Sequence, residues 1–109
     1  MTLDQNRDVN YKLQMIEVRQ TAAFAEWMAD HRDRPAMRKI AQRIVRIQSG
    51  LMGDVKFFDG IGEIRVNFGP GYRVYSVRRG NALIILLCGG SKASQSGDIK
   101  KAIAIAKEV

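Results

Sequence analysis

The chain has a single cysteine, a single histidine, two prolines and only 7% aromatic residues among its 109 positions. Cys88 has no partner within the chain, so an internal disulfide is excluded, and one cysteine with one histidine cannot furnish a structural zinc site. No apolar run approaches the roughly 18 residues that cross a bilayer. The opening MTLDQNRDVN is polar, with neither a basic leader nor an apolar signal segment. Repeats, linkers and low-complexity stretches are also missing. The expectation is one soluble, cytoplasmic domain over residues 11–109, preceded by a loose, disordered extension over residues 1–10.

What the chain does have is positive charge, and that charge is unevenly placed. The net charge is +7. Residues 1–31 carry three basic and five acidic side chains, whereas residues 32–109 carry fifteen and six. A compact domain with such an excess is suited to a polyanion, most often nucleic acid, or to a strongly acidic protein. A solvated basic surface kept for solubility is the alternative.

Residues 11–20, YKLQMIEVRQ, end in a strand-like pattern. Thr21 is a good N-cap for a helix that places Phe24, Trp27 and Met28 inward. A second helix is punctuated by Asp33 at its N-cap, Pro35 in its first turn and Gly50 past its end. Met37, Ile40, Ala41, Ile44 and Ile47 form its apolar stripe; Arg38, Lys39, Gln42, Arg43 and Arg46 fill its remaining surface. The two helices read as an antiparallel hairpin joined at HRDR.

After Gly50 the period becomes extended. DVKFF, IGEIRVNF, YRVYSV and ALIILLC read as strands, with Ile64, Val66 and Phe68 on one side of the second and Glu63, Arg65 and Asn67 on the other. The run ALIILLC is apolar throughout, so both its faces need cover and it belongs at the centre of a sheet. SQSGDIKKAIAIAKEV closes the chain as a helix with Ile99, Ala102, Ile103 and Ala106 inward. The expected class is α+β: two layers, an N-terminal strand, a helical hairpin, a mostly antiparallel sheet of four to five strands and a C-terminal helix. With the helices on one face, part of the other face is left as a concave working surface.

On that face Arg65 and Arg73 stand a tight GPG turn apart. Two guanidiniums so close repel unless an anion lies between them, and their forked shape suits phosphate. Lys92 follows Gly89 and Gly90, which would let backbone approach a ligand closely. The competing reading pairs Arg65 with Glu63 or Asp59 and lets Arg73 cover apolar surface.

The motifs GDVK, EIRVNFGPGYRVY, LLCGGSK and DI, in this order, resemble the RelE/ParE toxin superfamily, specifically its HigB-like "addiction module killer protein" branch. The resemblance spans residues 15–107. It implies the toxin of a type II toxin–antitoxin system that needs no metal or other cofactor and cleaves ribosome-bound mRNA. A gyrase poison of the ParE kind is the alternative, or a non-catalytic nucleic-acid-binding regulator. By position it implies Arg73, Arg65 and Lys92 around the scissile phosphate, with Lys56, Tyr75, Ser94 and Gln95 as substrate-binding residues. Asp54 lies where some relatives place a general base. His31 and Cys88 carry no catalytic expectation. Ser91 and Ser94 replace the aspartate and threonine usual there, which makes this end of the cleft more cationic. The implied partners are mRNA and the ribosome, and a cognate antitoxin of helix-turn-helix type through which operator DNA would be bound.

Overall fold

A computed structural model describes residues 15–109. The expected loose extension, and residues 11–14 of the expected first strand, lie outside the described residues. Among the described residues the elements run β1 (Glu17–Gln20), α1 (Ala22–Asp30), α2 (Arg34–Gln48), β2 (Val55–Phe58), β3 (Ile61–Val66), β4 (Tyr72–Arg79), β5 (Leu83–Ser91), a 3-10 turn (Lys92–Ser94) and α3 (Gln95–Ala106). The five strands form one sheet in the order β1-β5-β4-β3-β2. All neighbours are antiparallel except β1, which pairs parallel with β5. β5 is thus central, as its unbroken apolar run requires.

Both helices of the first pair begin where their caps dictate. The Thr21 side chain accepts from the Phe24 N–H, and Asp33 accepts from the Ala36 N–H at 3.1 Å. Asp33 also receives the Tyr72 hydroxyl at 2.8 Å, which ties the start of α2 to β4. These two bonds hold the Asp33 carboxyl below the usual carboxylate range, the backbone bond contributing most. Because the folded value is the depressed one, this contribution is present above the unfolded value of about 3.9 and disappears as the pH falls through the folded value. Asp33→Asn should therefore flatten the acid limb of the stability–pH curve below about pH 4, read by urea denaturation across that range.

The helices do not share a face, which corrects the two-layer expectation. Ile64, Val66, Tyr72, Val74, Ile84 and Leu86 pack with Phe24, Met37, Ile40 and Ile47 of α1 and α2. Ile61, Tyr75, Val77, Leu87 and Cys88 face the other way and receive Ala102, Ile99 and Ile103 of α3. Alternation along β4 and β5 produces apolar side chains on both sides, and each side needs its own cover. A bulge opposite Tyr75 and Ser76 inserts Leu87 between Leu86 and Cys88, adding one more apolar group to the strand. A cleft opens at the end of the sheet beside the Gly69–Gly71 turn.

The two glycines that end β5 serve packing rather than ligand approach. A Cβ on Gly89 would lie 2.5 Å from the Trp27 ring, and one on Gly90 would collide with the Asp98 carboxylate. The space above both is already filled by the protein's own side chains.

Candidate nucleic-acid interface

Arg65 on β3 and Arg73 on β4 are direct cross-strand partners, so their side chains leave the same face of the sheet side by side. Their mutual repulsion is relieved from within the chain. Arg65 meets the Asp54 carboxylate at 2.9 and 3.2 Å, because its own N–H bonds the Asp54 carbonyl and draws that residue alongside. Arg73 lies with its Nε 3.8 Å from the carboxylate of Glu63. Arg65 pairs with neither Glu63 nor Asp59; among the described residues both arginines have internal counter-charges, whereas no carboxylate lies within ion-pair distance of Lys92.

The two ion pairs differ in kind. Arg65 and Asp54 are both more than one-third exposed, and such a pair stabilises by less than about 1 kcal/mol. Asp54→Asn should accordingly shift the urea-unfolding free energy by under about 1 kcal/mol, while a base role for Asp54 would make the same variant lose mRNA cleavage.

Glu63 is only 2% exposed and Arg73 14%. One Glu63 oxygen, Oε2, receives the Gln95 amide at 2.7 Å and the Tyr75 hydroxyl at 3.3 Å. The Nε of Arg73 stands too far off to hydrogen-bond it, and is buried without a hydrogen-bond partner among the described residues. Its Nη1 reaches only the Gly71 carbonyl, at 3.4 Å.

Arg73 and Lys92 line one cleft with Asn67, Phe68 and the Gly69–Pro70–Gly71 turn. The turn is clamped to β5 because the Lys92 N–H bonds the Gly71 carbonyl at 2.9 Å. Positive φ at Gly69 and Gly71 (56° and 82°) explains both glycines, since other residues are strained there. Arg73 and Lys92 are thus brought together and Arg65 stands beside them on the sheet.

The remaining expected residues divide. Gln95 serves the site by orienting Glu63. Tyr75, which the resemblance places among the substrate-binding residues, is fully buried. Burial, then the charge of Glu63, pushes its hydroxyl well above the usual tyrosine range, so it remains a neutral donor. Ser94 closes the 3-10 turn before α3: its hydroxyl accepts from the Ser91 N–H and donates to the Asp98 carboxylate. Lys56 sits on the edge strand β2 with its ammonium 5.9 Å from the Phe58 ring, leaning along the strand away from Arg65. Cys88 is buried and its thiol pushed up to about 11, chiefly by burial. His31 caps α1 and stacks edge-on against Trp27 and Tyr72, with ring centroids 5.3 Å from each.

Arg43 departs most from expectation. Placed on the solvent side of α2 by its chemistry, it is 8% exposed. Its guanidinium donates to the carbonyls of Met52 (3.0 and 3.1 Å), Asp54 (2.8 Å) and Arg65 (2.7 Å). One side chain thereby fixes the loop that carries Asp54 and the strand that carries Arg65. Gly53, at φ 72°, is the residue against which the guanidinium lies; a Cβ there would come within 2.7 Å of it. Burial, with Arg46 nearby, lowers the Arg43 pKa. The signal in the sequence was positional: Ala36, Ile40, Arg43 and Ile47 form the buried stripe, whereas Ala41 faces solvent.

No protein-family model matches the chain. A protein of Haemophilus influenzae (strain ATCC 51907 / DSM 11121 / KW20 / Rd), described as an uncharacterized protein, is 43% identical over 95 residues. That alignment takes in 86% of this chain and 96% of the relative. Identity of that degree over nearly the whole relative means that this chain belongs to the same protein family as the Haemophilus influenzae protein.

Proposed function

We propose that the protein is the toxin of a type II toxin–antitoxin pair in the RelE/ParE superfamily, HigB-like branch, acting in the cytoplasm as a metal-independent endoribonuclease on ribosome-bound mRNA. The observation that carries this reading is Arg73. It lines a cleft with Lys92 and the Gly69–Pro70–Gly71 turn, and among the described residues its buried Nε–H has no hydrogen-bond partner.

In that reaction the ribose 2′-oxygen attacks the adjacent phosphorus as its proton is removed, the P–O5′ bond breaks, and O5′ takes up a proton. The products are a 2′,3′-cyclic phosphate and a 5′-hydroxyl. Extra negative charge gathers on the non-bridging oxygens, where preorganised cations act most strongly. Arg73 meets that charge with a fork of donors, and Lys92 adds a point charge on the same side. Glu63, held by Gln95 and Tyr75, places a buried negative charge 3.8 Å behind the Arg73 guanidinium. The antitoxin, of helix-turn-helix type, would cover this cationic end or block ribosome entry from the helical side, and would bring the pair to operator DNA.

A second reading has one observation in its favour. Arg65 and Arg73 each have an internal carboxylate, which weakens their claim on an RNA phosphate and suits a ParE-like gyrase poison that works by surface contact. Controlled expression separates the two. Growth arrest with codon-phased mRNA 5′ ends, both lost in Arg73→Ala, supports the nuclease; arrest with intact transcripts and broken DNA supports the poison.

A further inference from the structure

A second basic recess adjoins the cleft. It is a pocket of about 310 Å3 lined by Lys39, Arg43 and Arg46 of α2 together with Val66, Asn67 and Phe68. Among the described residues, no carboxylate lies within ion-pair distance of any of these three cations. The nearest acidic group acting on Arg43, Asp54, is engaged by Arg65. Arg43 is held fast from below by carbonyls, which are dipoles and do not cancel its charge. Lys39 and Arg46 are exposed at the rim.

Asn67 and Phe68 line both this recess and the Arg73–Lys92 cleft. The order along the surface is therefore cations, then an aromatic ring and an amide, then cations. That order matches phosphate, base, phosphate along a single strand: Phe68 is half-buried against the core, so the uncovered part of its ring meets a base beside the exposed Asn67 amide. An acidic protein segment would use the cations but has no need of the ring between them.

We propose that the Lys39–Arg43–Arg46 recess is a second phosphate subsite, which holds the backbone of single-stranded RNA beside the nucleotide at Arg73 and Lys92. This rests on the reading of the chain as directed to RNA. Arg43 supplies fixed buried charge and Lys39 and Arg46 close over the phosphate.

The test is fluorescence anisotropy with a short fluorescein-labelled single-stranded RNA, 2′-O-methylated so that it cannot be cut, titrated into the purified full chain at several KCl concentrations. Lys39→Gln with Arg46→Gln should weaken binding about tenfold near 0.1 M salt and reduce the slope of log K against log salt by about 0.7, as loss of one neutralised phosphate on a single strand requires. Lys100→Gln with Lys107→Gln removes the same charge from exposed positions on and just after α3, across the sheet, and should change the affinity less than about twofold. Circular dichroism melts of both pairs should match the wild type, since all four positions are exposed. Equal weakening by the two pairs, or none by either, overturns the subsite. A chain that binds the blocked RNA as expected yet leaves mRNA uncut in cells retires the nuclease reading and leaves the subsite standing.

Discussion

Arg73→Ala is expected to lower mRNA cleavage by about 10² to 10³-fold, the scale on which removing one preorganised donor from a developing oxyanion acts. The same change strips Glu63 of its counter-charge and leaves a carboxylate that is 2% exposed with only the Gln95 and Tyr75 bonds. Removing one member of a buried pair costs more than removing both. The informative comparison is therefore the double variant Arg73→Ala, Glu63→Gln, whose glutamine keeps hydrogen-bonding capacity without charge. Its urea midpoint should recover toward the wild type while cleavage stays lost. Arg73→Lys is expected to keep the fold and most of the charge but still cut poorly, because an ammonium cannot present the planar fork. Cleavage returning in the double variant would show that Arg73 acts only through the stability of the site.

Arg43→Leu should have the largest effect on folding. The leucine fits the inner stripe of α2, so transfer of the side chain itself is favourable. However, the carbonyls of Met52 and Arg65 lose bonds of 3.0 to 3.1 and 2.7 Å, and Asp54 loses one of 2.8 Å. Asp54 O retains the Arg65 N–H, so it is less exposed to loss than the other two. At about 1–3 kcal/mol for each buried acceptor left unmet, the net loss is about 3–5 kcal/mol, a large share of the stability of a domain this size. Arg43→Lys should rescue only part of it, since one ammonium cannot reach carbonyls arranged around a fork. Equilibrium urea denaturation reads both variants directly; a loss below about 1 kcal/mol for the leucine variant would mean that water replaces the guanidinium without cost.

These two arginines also mark what was and was not legible in the sequence. Caps, turns and alternation are local, and Thr21, Asp33, the GPG turn and the Ile64–Val66–Phe68 face all follow from neighbouring residues. The central place of β5 follows from its composition, and cover on both faces was implied by the same run, although the two-layer reading did not carry that through to α3. The parallel partnership of β1 with β5 joins residues more than sixty positions apart, and nothing in either strand specifies it.

Counter-charges were harder to read. Alternation places Glu63, Arg65 and Arg73 on one face, but which carboxylate turns to which guanidinium depends on the backbone bond from Arg65 to Asp54 and on Gln95 arriving from α3. Arg43 was obscured by its chemistry: an arginine in a buried stripe reads as surface until the three carbonyls that receive it are in place. Gly89 and Gly90 likewise suggest a ligand until Trp27 and Asp98 are seen to occupy their space.

The most direct measurement is cleavage of a defined mRNA on purified ribosomes by the purified protein, with analysis of the new ends. The expected outcome is fragments bearing 2′,3′-cyclic phosphate and 5′-hydroxyl termini, absent with Arg73→Ala. Uncut mRNA under these conditions, together with trapped gyrase–DNA breaks in a parallel reaction, would contradict the assignment of this cleft to phosphodiester cleavage.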